Sequence, residues 1–245
     1  MTARATLATA RRVLRQLRRD PRTVVLLLAV PIFLLAVIRW VFDARPGVFQ
    51  GIGVPLLGIF PLVSMFLVTS ITMLRERSSG TLERLMTLPL GKLDLLAGYA
   101  LAFSVIAAAQ TLLVSVFALT VLDLRISAPL WTVLAIAVLN ALHGMAFGLF
   151  LSAFAQSEFQ AVQFMPAFLL PQILLSGLLG PRSGMVRPLE IASDYLPMTY
   201  AFEALSRIAG SRALTGRLLF DAGVVLATTL IALALGAATL RRRTG

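Results

Sequence analysis

Leu74-Arg75-Glu76-Arg77-Ser78-Ser79-Gly80-Thr81-Leu82-Glu83-Arg84-Leu85-Met86-Thr87-Leu88-Pro89-Leu90-Gly91-Lys92 is a charged stretch set between two long apolar runs, and it carries its own helix start and stop. Gly80 can serve as an N-cap, Glu83 then falls in the first turn where a carboxylate favours the helix N-terminus, and Pro89 ends the turn by removing a donor. About two turns of helix fit between them. Leu82, Leu85 and Met86 follow i, i+3, i+4 spacing and form one apolar face, while Glu83, Arg84 and Thr87 point elsewhere. Such a face suits a groove on another protein. The plainer reading is a polar connector lying on a membrane surface.

Composition supplies the membrane. The chain is 58% hydrophobic and 13% charged, with a mean hydropathy of +0.90, far from the roughly half-apolar, quarter-charged norm of soluble domains. Its 245 residues hold about six spans of roughly 20 residues each. We expect an all-α integral membrane protein: residues 1–23 as an N-terminal interface helix and 24–245 as one six-span domain. The net charge of +11 would suit nucleic acid, but the basic residues flank apolar runs, so the charge belongs to membrane topology and no nucleic-acid partner is expected. The absence of cysteine excludes disulfides, iron–sulfur ligation and cysteine nucleophiles. No cleavable signal peptide is expected, because a basic helix comes first and no small-residue cleavage site follows the first apolar run.

Working outward, Arg4, Arg11, Arg12, Arg15, Arg18 and Arg19 interleave with Leu7, Val13, Leu14 and Leu17 at helical spacing. This reads as an amphipathic helix in the cytoplasmic interface, its arginines near anionic headgroups; an unstructured basic tail is the alternative. Asp20-Pro21 breaks it. Spans are expected at Val24–Phe42, at Gly53–Leu74 after a turn containing Pro46 and Gly47, and at Leu95–Leu122, Pro129–Ala155, Ala161–Gly180 and Leu218–Leu240. Residues 181–217 read as an outer loop with one or two short helices. Fourteen basic residues then lie on the side of both termini and eight on the other, which places the termini in the cytoplasm.

Arg75-Glu76-Arg77, then Gly80-Thr81-Leu82-Glu83-Arg84-Leu85 and Pro89-Leu90, resemble the signature that follows the second span of ABC-2 type transporter permeases. Arg75 stands where the family's first acidic residue is usual, two serines precede Gly80, and Leu88 separates Thr87 from Pro89. Ala155-Gln156-Ser157-Glu158, Leu175-Ser176-Gly177 and Leu196-Pro197-Met198-Thr199-Tyr200-Ala201 look like three further landmarks in the family's order, so the resemblance covers nearly the whole chain. Absence of a large external insert makes it most similar to the small drug-exporter branch. The resemblance implies a bacterial inner-membrane exporter subunit with a cytoplasmic coupling helix between spans 2 and 3. That helix, from Arg75, Glu76, Gly80, Thr81, Leu82, Glu83, Arg84, Leu85, Met86 and Pro89, would enter an ABC ATP-binding subunit. It also implies a re-entrant outer hairpin between spans 5 and 6, two ATP-binding subunits carrying ATP and Mg, and a second permease half, identical or homologous.

No Gly-x-x-x-x-Gly-Lys-Ser/Thr loop is present: Gly91-Lys92 is followed by Leu93 and preceded by Met86 where the first glycine belongs. No cofactor is therefore expected on this chain. With one histidine and neither a His-Glu-x-x-His nor a Gly-x-Ser-x-Gly motif, the residues give no support to a membrane hydrolase. Polar residues inside spans are Gln110, Asn140, His143, Gln163 and Gln172, which either meet substrate or hydrogen-bond between helices. Asn140, Gly144, Gly148 and Ser152 repeat every fourth position and read as a close-packing stripe. Charge-poor spans suit a hydrophobic or amphipathic cargo. An ion-driven transporter, or an assembly factor without transport, remains as the other class; the former calls for acids at mid-membrane, and only Asp221 falls inside a span, near its outer end.

Overall fold

A computed structural model describes residues 3–81, 84, 91–210 and 215–239. Among these residues there are nine α-helices, one short 3-10 turn and no strand. They are α1 (Ala3–Arg18), α2 (Pro21–Val41), α3 (Pro46–Ser78), α4 (Lys92–Thr120), α5 (Leu130–Leu151), α6 (Glu158–Leu175), α7 (Arg187–Asp194), α8 (Pro197–Gly210) and α9 (Gly216–Thr239). Five of them, α2, α3, α4, α5 and α9, are long and apolar enough to cross a membrane. The sixth expected span corresponds to α6, whose 18 residues reach about 27 Å and include three glutamines and two prolines.

Local chemistry sets the boundaries. Asp20 caps α2 by accepting from the Thr23 N–H at 3.2 Å, with Pro21 in the first turn. Pro46 and Gly47, expected as a turn before the second span, instead start α3, because proline at the first helical position gives up no hydrogen bond. The 33 residues of α3 extend about 50 Å, well beyond the roughly 30 Å of a bilayer core. Arg75, Glu76 and Arg77 are thus the last turn of this helix rather than the opening of a separate element. Gly80, at φ 69°, lies just past its end in the left-handed conformation that glycine adopts without strain. On the far side of the connection, Asp94 accepts from the Gly91 N–H at 3.2 Å as α4 begins.

The stripe on α5 governs the packing. A Cβ on Gly144 would strike the Leu62 carbonyl and one on Gly148 the Phe66 carbonyl, while Gly58 faces Asn140. Residue numbers rise together along both helices, so α3 and α5 run in the same direction, backbone against backbone. They share the most extensive helix–helix contact in the molecule. His143 meets Thr229, and Gly236 meets Leu149, so α9 runs parallel to α5 as well.

Two ends can be told apart. At the near end Arg75 pairs with Glu158, and the Arg77 guanidinium donates to Thr239 at 3.2 Å. At the far end Gln50 bonds the Asp123 carbonyl and the Arg125 N–H, and the Ser127 N–H reaches the Ala209 carbonyl. Helix α1 packs at the near end, chiefly on α4. Its most deeply buried residues are Thr9, Ala10 and Val13; of the expected apolar set Val13 is buried and Leu14 packs partly buried against the same core, while Leu7 is 63% exposed. Thr9 and Ala10 are drawn in because Gly98 lets Thr9 and the Thr6 carbonyl approach the α4 backbone.

Candidate functional site

Three helices meet in one charged cluster at the near end. The Arg12 guanidinium, from α1, donates to Glu76 Oε1 at 2.7 Å and to the Tyr99 hydroxyl at 3.0 Å. The Tyr99 hydroxyl in turn donates to Glu76 Oε2. Glu76 is 5% exposed, so its carboxylate is engaged inside the chain, with a donor on each oxygen. Burial opposes the charge on Arg12, but Tyr99 and Glu76 outweigh it and raise the guanidinium above the ordinary arginine range. Glu76 lies two residues before the end of α3, and Tyr99 two turns into α4. The cluster therefore ties together the two helices that flank residues 79–91.

The rest of the expected coupling set is distributed around this cluster. Arg75 is exposed and grips Glu158 through Nε at 2.7 Å and Nη2 at 2.8 Å, holding that carboxyl below the usual carboxylate range. Past Gly80, the Arg84 N–H donates to the Gly80 carbonyl at 3.1 Å, the bond that a helix starting at Gly80 requires. Thr81 Oγ1 lies 2.9 Å from Ser79 Oγ, and Arg84 is exposed. Leu82, Glu83, Leu85, Met86 and Pro89 lie outside the described residues.

The in-span polar residues do not converge. Gln110 Nε2 donates to the Leu27 carbonyl at 2.9 Å and to Ser64 at 3.0 Å, joining α4 to α2 and α3. Gln172 is buried and bonds the Phe168 carbonyl of its own helix, whereas Gln163 is exposed. His143 Nδ1 lies 3.0 Å from Thr229 Oγ1, with Phe147 edge-on at 4.6 Å. Asn140 is fully buried with no partner for either amide atom, and His143 Nε2 likewise has none among the described residues. Gln110 Oε1 and the hydroxyls of Thr69, Ser70, Thr111 and Ser115 also lack a partner among the described residues, so Asn140 and His143 are two of several in-span groups with hydrogen-bonding capacity to spare.

A family model for the ABC-2 type transporter matches residues 4–209, from the interface helix through α8. The chain belongs to the ABC-2 type transporter family. A probable multidrug ABC transporter permease, YbhR, of Escherichia coli (strain K12) is 28% identical over 130 residues, and its counterpart in Escherichia coli O157:H7 matches to the same extent. The matched stretch covers 53% of this chain and 35% of those relatives, about a third of their length. The chain is a multi-pass membrane component of the permease type.

The far end of this ABC-2 permease holds a network that spacing did not reveal. Arg182 pairs with Asp194 and, at 2.9 Å, with Glu203; Arg207 joins Glu203 to Asp221 at 3.0 Å each; Arg217 reaches Asp221 at 3.2 Å. Three arginines and three carboxylates thus link the segment before α7 to α8 and α9. Asp221 itself is fully buried. Arg207–Glu203 and Arg217–Asp221 stand at i, i+4, but the pairs that tie different elements together stand 12 to 21 positions apart, and no local period announces those. Six of the eight arginines expected on this side, Arg39, Arg125, Arg182, Arg187, Arg207 and Arg217, have an acid within salt-bridge distance. Among the described residues, unpaired arginines therefore gather on the other side, where Arg4, Arg11, Arg15, Arg18 and Arg19 of the N-terminal segment have no acid within salt-bridge distance.

Proposed function

We propose that this permease is half of the substrate path of an ATP-driven exporter, worked by a separate ABC ATP-binding subunit that docks on residues 81–90. In this reading Leu82, Leu85 and Met86 fill a groove on the ATPase, Glu83 and Arg84 set orientation by charge, and Arg75, Gly80, Thr81 and Pro89 shape the approach. The observation that carries it is the Arg12–Glu76–Tyr99 cluster. Because it binds the end of α3 to the start of α4, a push on the intervening segment moves both spans together. Glu76 then acts behind the docking surface, as a positioning residue. ATP and Mg belong to the partner subunit, and two such subunits serve two permease halves, identical or homologous.

The unpaired arginines of α1 favour the near end as cytoplasmic, with both termini there and the protein in a bacterial inner membrane. The parallel run of α5 and α9 supports a sixth crossing. Glu158 is at the near end and Ala209 at the far end, so the chain between them returns across the bilayer, and α6 is the helix available to do it. Residues 1–23 are then the interface helix and 24–245 the six-span domain, with α7 and α8 forming the outer hairpin. Leu205 of α8 packs at the level of Gly58, one to two turns below the far-end contact of Gly53 with Leu124, as a hairpin dipping inward would. Asn140 and His143 are the groups we assign to the polar part of a hydrophobic or amphipathic cargo. An ion-driven mechanism finds less support, since Asp221 is neutralised by Arg207 and Arg217 at the far end.

Leu85→Asp is the test. Export should be lost with membrane insertion and folding intact; transport at the normal rate would refute the docking role.

A further inference from the structure

Arg75, Glu76 and Arg77 are consecutive residues in the last turn of α3, and successive side chains of a helix point about 100° apart. One turn therefore reaches in three directions. Arg75 grips Glu158 in the first turn of α6. Glu76 meets Arg12 of α1 and Tyr99 of α4. Arg77 Nη2 donates to Thr239 Oγ1 in the last turn of α9. The charges suit the helix ends concerned, an acid at the N-terminal end of α6 and a cation at the C-terminal end of α9. Arg77 has no acid within salt-bridge distance among the described residues, and its Nε is buried without a partner among them, so Thr239 is the group that orients it.

The links to α6 and α9 act on firm attachment points. The start of α6 is closed by a reciprocal cap: the Gln160 N–H donates to Ser157 Oγ at 3.2 Å and the Gln156 N–H to Gln160 Oε1 at 2.8 Å. At the near end of α9, Gly236 packs on Leu149, an apolar contact without direction. The Arg77 hydrogen bond is directional, and it fixes the height of α9 against α3. We infer that Arg75-Glu76-Arg77 is a hub through which displacement of residues 79–91 reaches α4, α6 and α9 at once, with Arg77 and Thr239 as the positioning residues for the last span. This rests on the docking of an ATP-binding subunit at residues 81–90 and adds two helices to those it moves.

Thr239→Val keeps the size of the side chain and removes its hydroxyl, whereas Thr239→Ser keeps the hydroxyl. In the permease alone, held in nanodiscs, hydrogen exchange at residues 233–239 should quicken roughly tenfold in Arg77→Gln and Thr239→Val, as loss of a hydrogen bond to a charged group implies, and stay at the parent rate in Thr239→Ser. The absence of cysteine also allows a pair of spin labels, at Val48→Cys near the far end of α3 and Leu235→Cys near the near end of α9, both exposed. In the complex with the co-purified ATPase, ATP should leave this distance unchanged in the parent and in Thr239→Ser, and shift it in Thr239→Val. Val48→Cys with Val162→Cys reports α6 in the same way against Glu158→Gln, which breaks an exposed pair of little weight in stability. Equal exchange in the parent, Arg77→Gln and Thr239→Val would overturn the inference, as would a parent distance that shifts with ATP as far as that of Thr239→Val. Failure of an ATPase to co-purify would refute the docking reading by itself, and the exchange measurement would still decide whether Arg77 holds α9.

Discussion

Glu76 and Arg12 are 64 positions apart, and Tyr99 is 23 beyond Glu76. In sequence Glu76 is one charge among several in a basic stretch, indistinguishable from its exposed neighbours. Only the tertiary arrangement turns it inward. Removing a partner from a buried ion pair costs about 3–5 kcal/mol. With the Arg12 side chain 26% exposed, water can recover part of that, and we expect about 1–3 kcal/mol for Glu76→Ala. Thermal unfolding in detergent checks this, and an unchanged midpoint would mean that the cluster holds nothing. The Asn140–His143 pair was legible as polar residues within a span. Their unequal satisfaction was not, because it depends on Thr229, Gly58 and Leu205 from three other helices.

At the level of elements, the apolar runs announced the helices and the every-fourth-residue stripe announced how α5 would pack. Gly144→Leu should force the α5 backbone from Leu62, because the obstructing atoms are main chain and cannot rotate away. Overpacking of this kind typically costs about 1–3 kcal/mol. Gly223→Leu on α9, where nothing stands within 4 Å, is the matched control and should leave stability nearly unchanged. Equal behaviour of the two variants in an unfolding titration would remove the stripe from the account. Less legible was the end of α3. Gly80 reads as a helix start, and its carbonyl does accept the Arg84 N–H, yet the same glycine also stands just past the end of the helix before it. One residue serving two elements gives a single signal, which hides the extra turn bearing Arg75, Glu76 and Arg77. Likewise α1 was legible as amphipathic, with Val13 on its buried face, but the burial of Thr9 and Ala10 was not, since it depends on Gly98 of another helix admitting small residues.

For the molecule as a whole, the charge pattern carried more than composition did. Counting basic residues gave a topology weakened by the eight far-side arginines; six of them are matched by acids in three dimensions, although the rule weighs Lys and Arg and gives acids little weight. The near end differs on every count: unpaired arginines on α1, a buried cluster behind the junction, and the connection at residues 79–91 leaving from it. A permease that takes its energy from a partner needs one place where force enters, and in the proposed function this junction is that place. Purification of the tagged chain from native membranes in mild detergent, with an ATPase assay on the eluate, tests that claim most directly. The account predicts a soluble nucleotide-binding protein in the eluate, with ATPase activity, both lost in Leu85→Asp while the permease itself is recovered at its normal level. A chain that elutes alone and inactive across several detergents, or an ATPase that stays bound to Leu85→Asp, would contradict it.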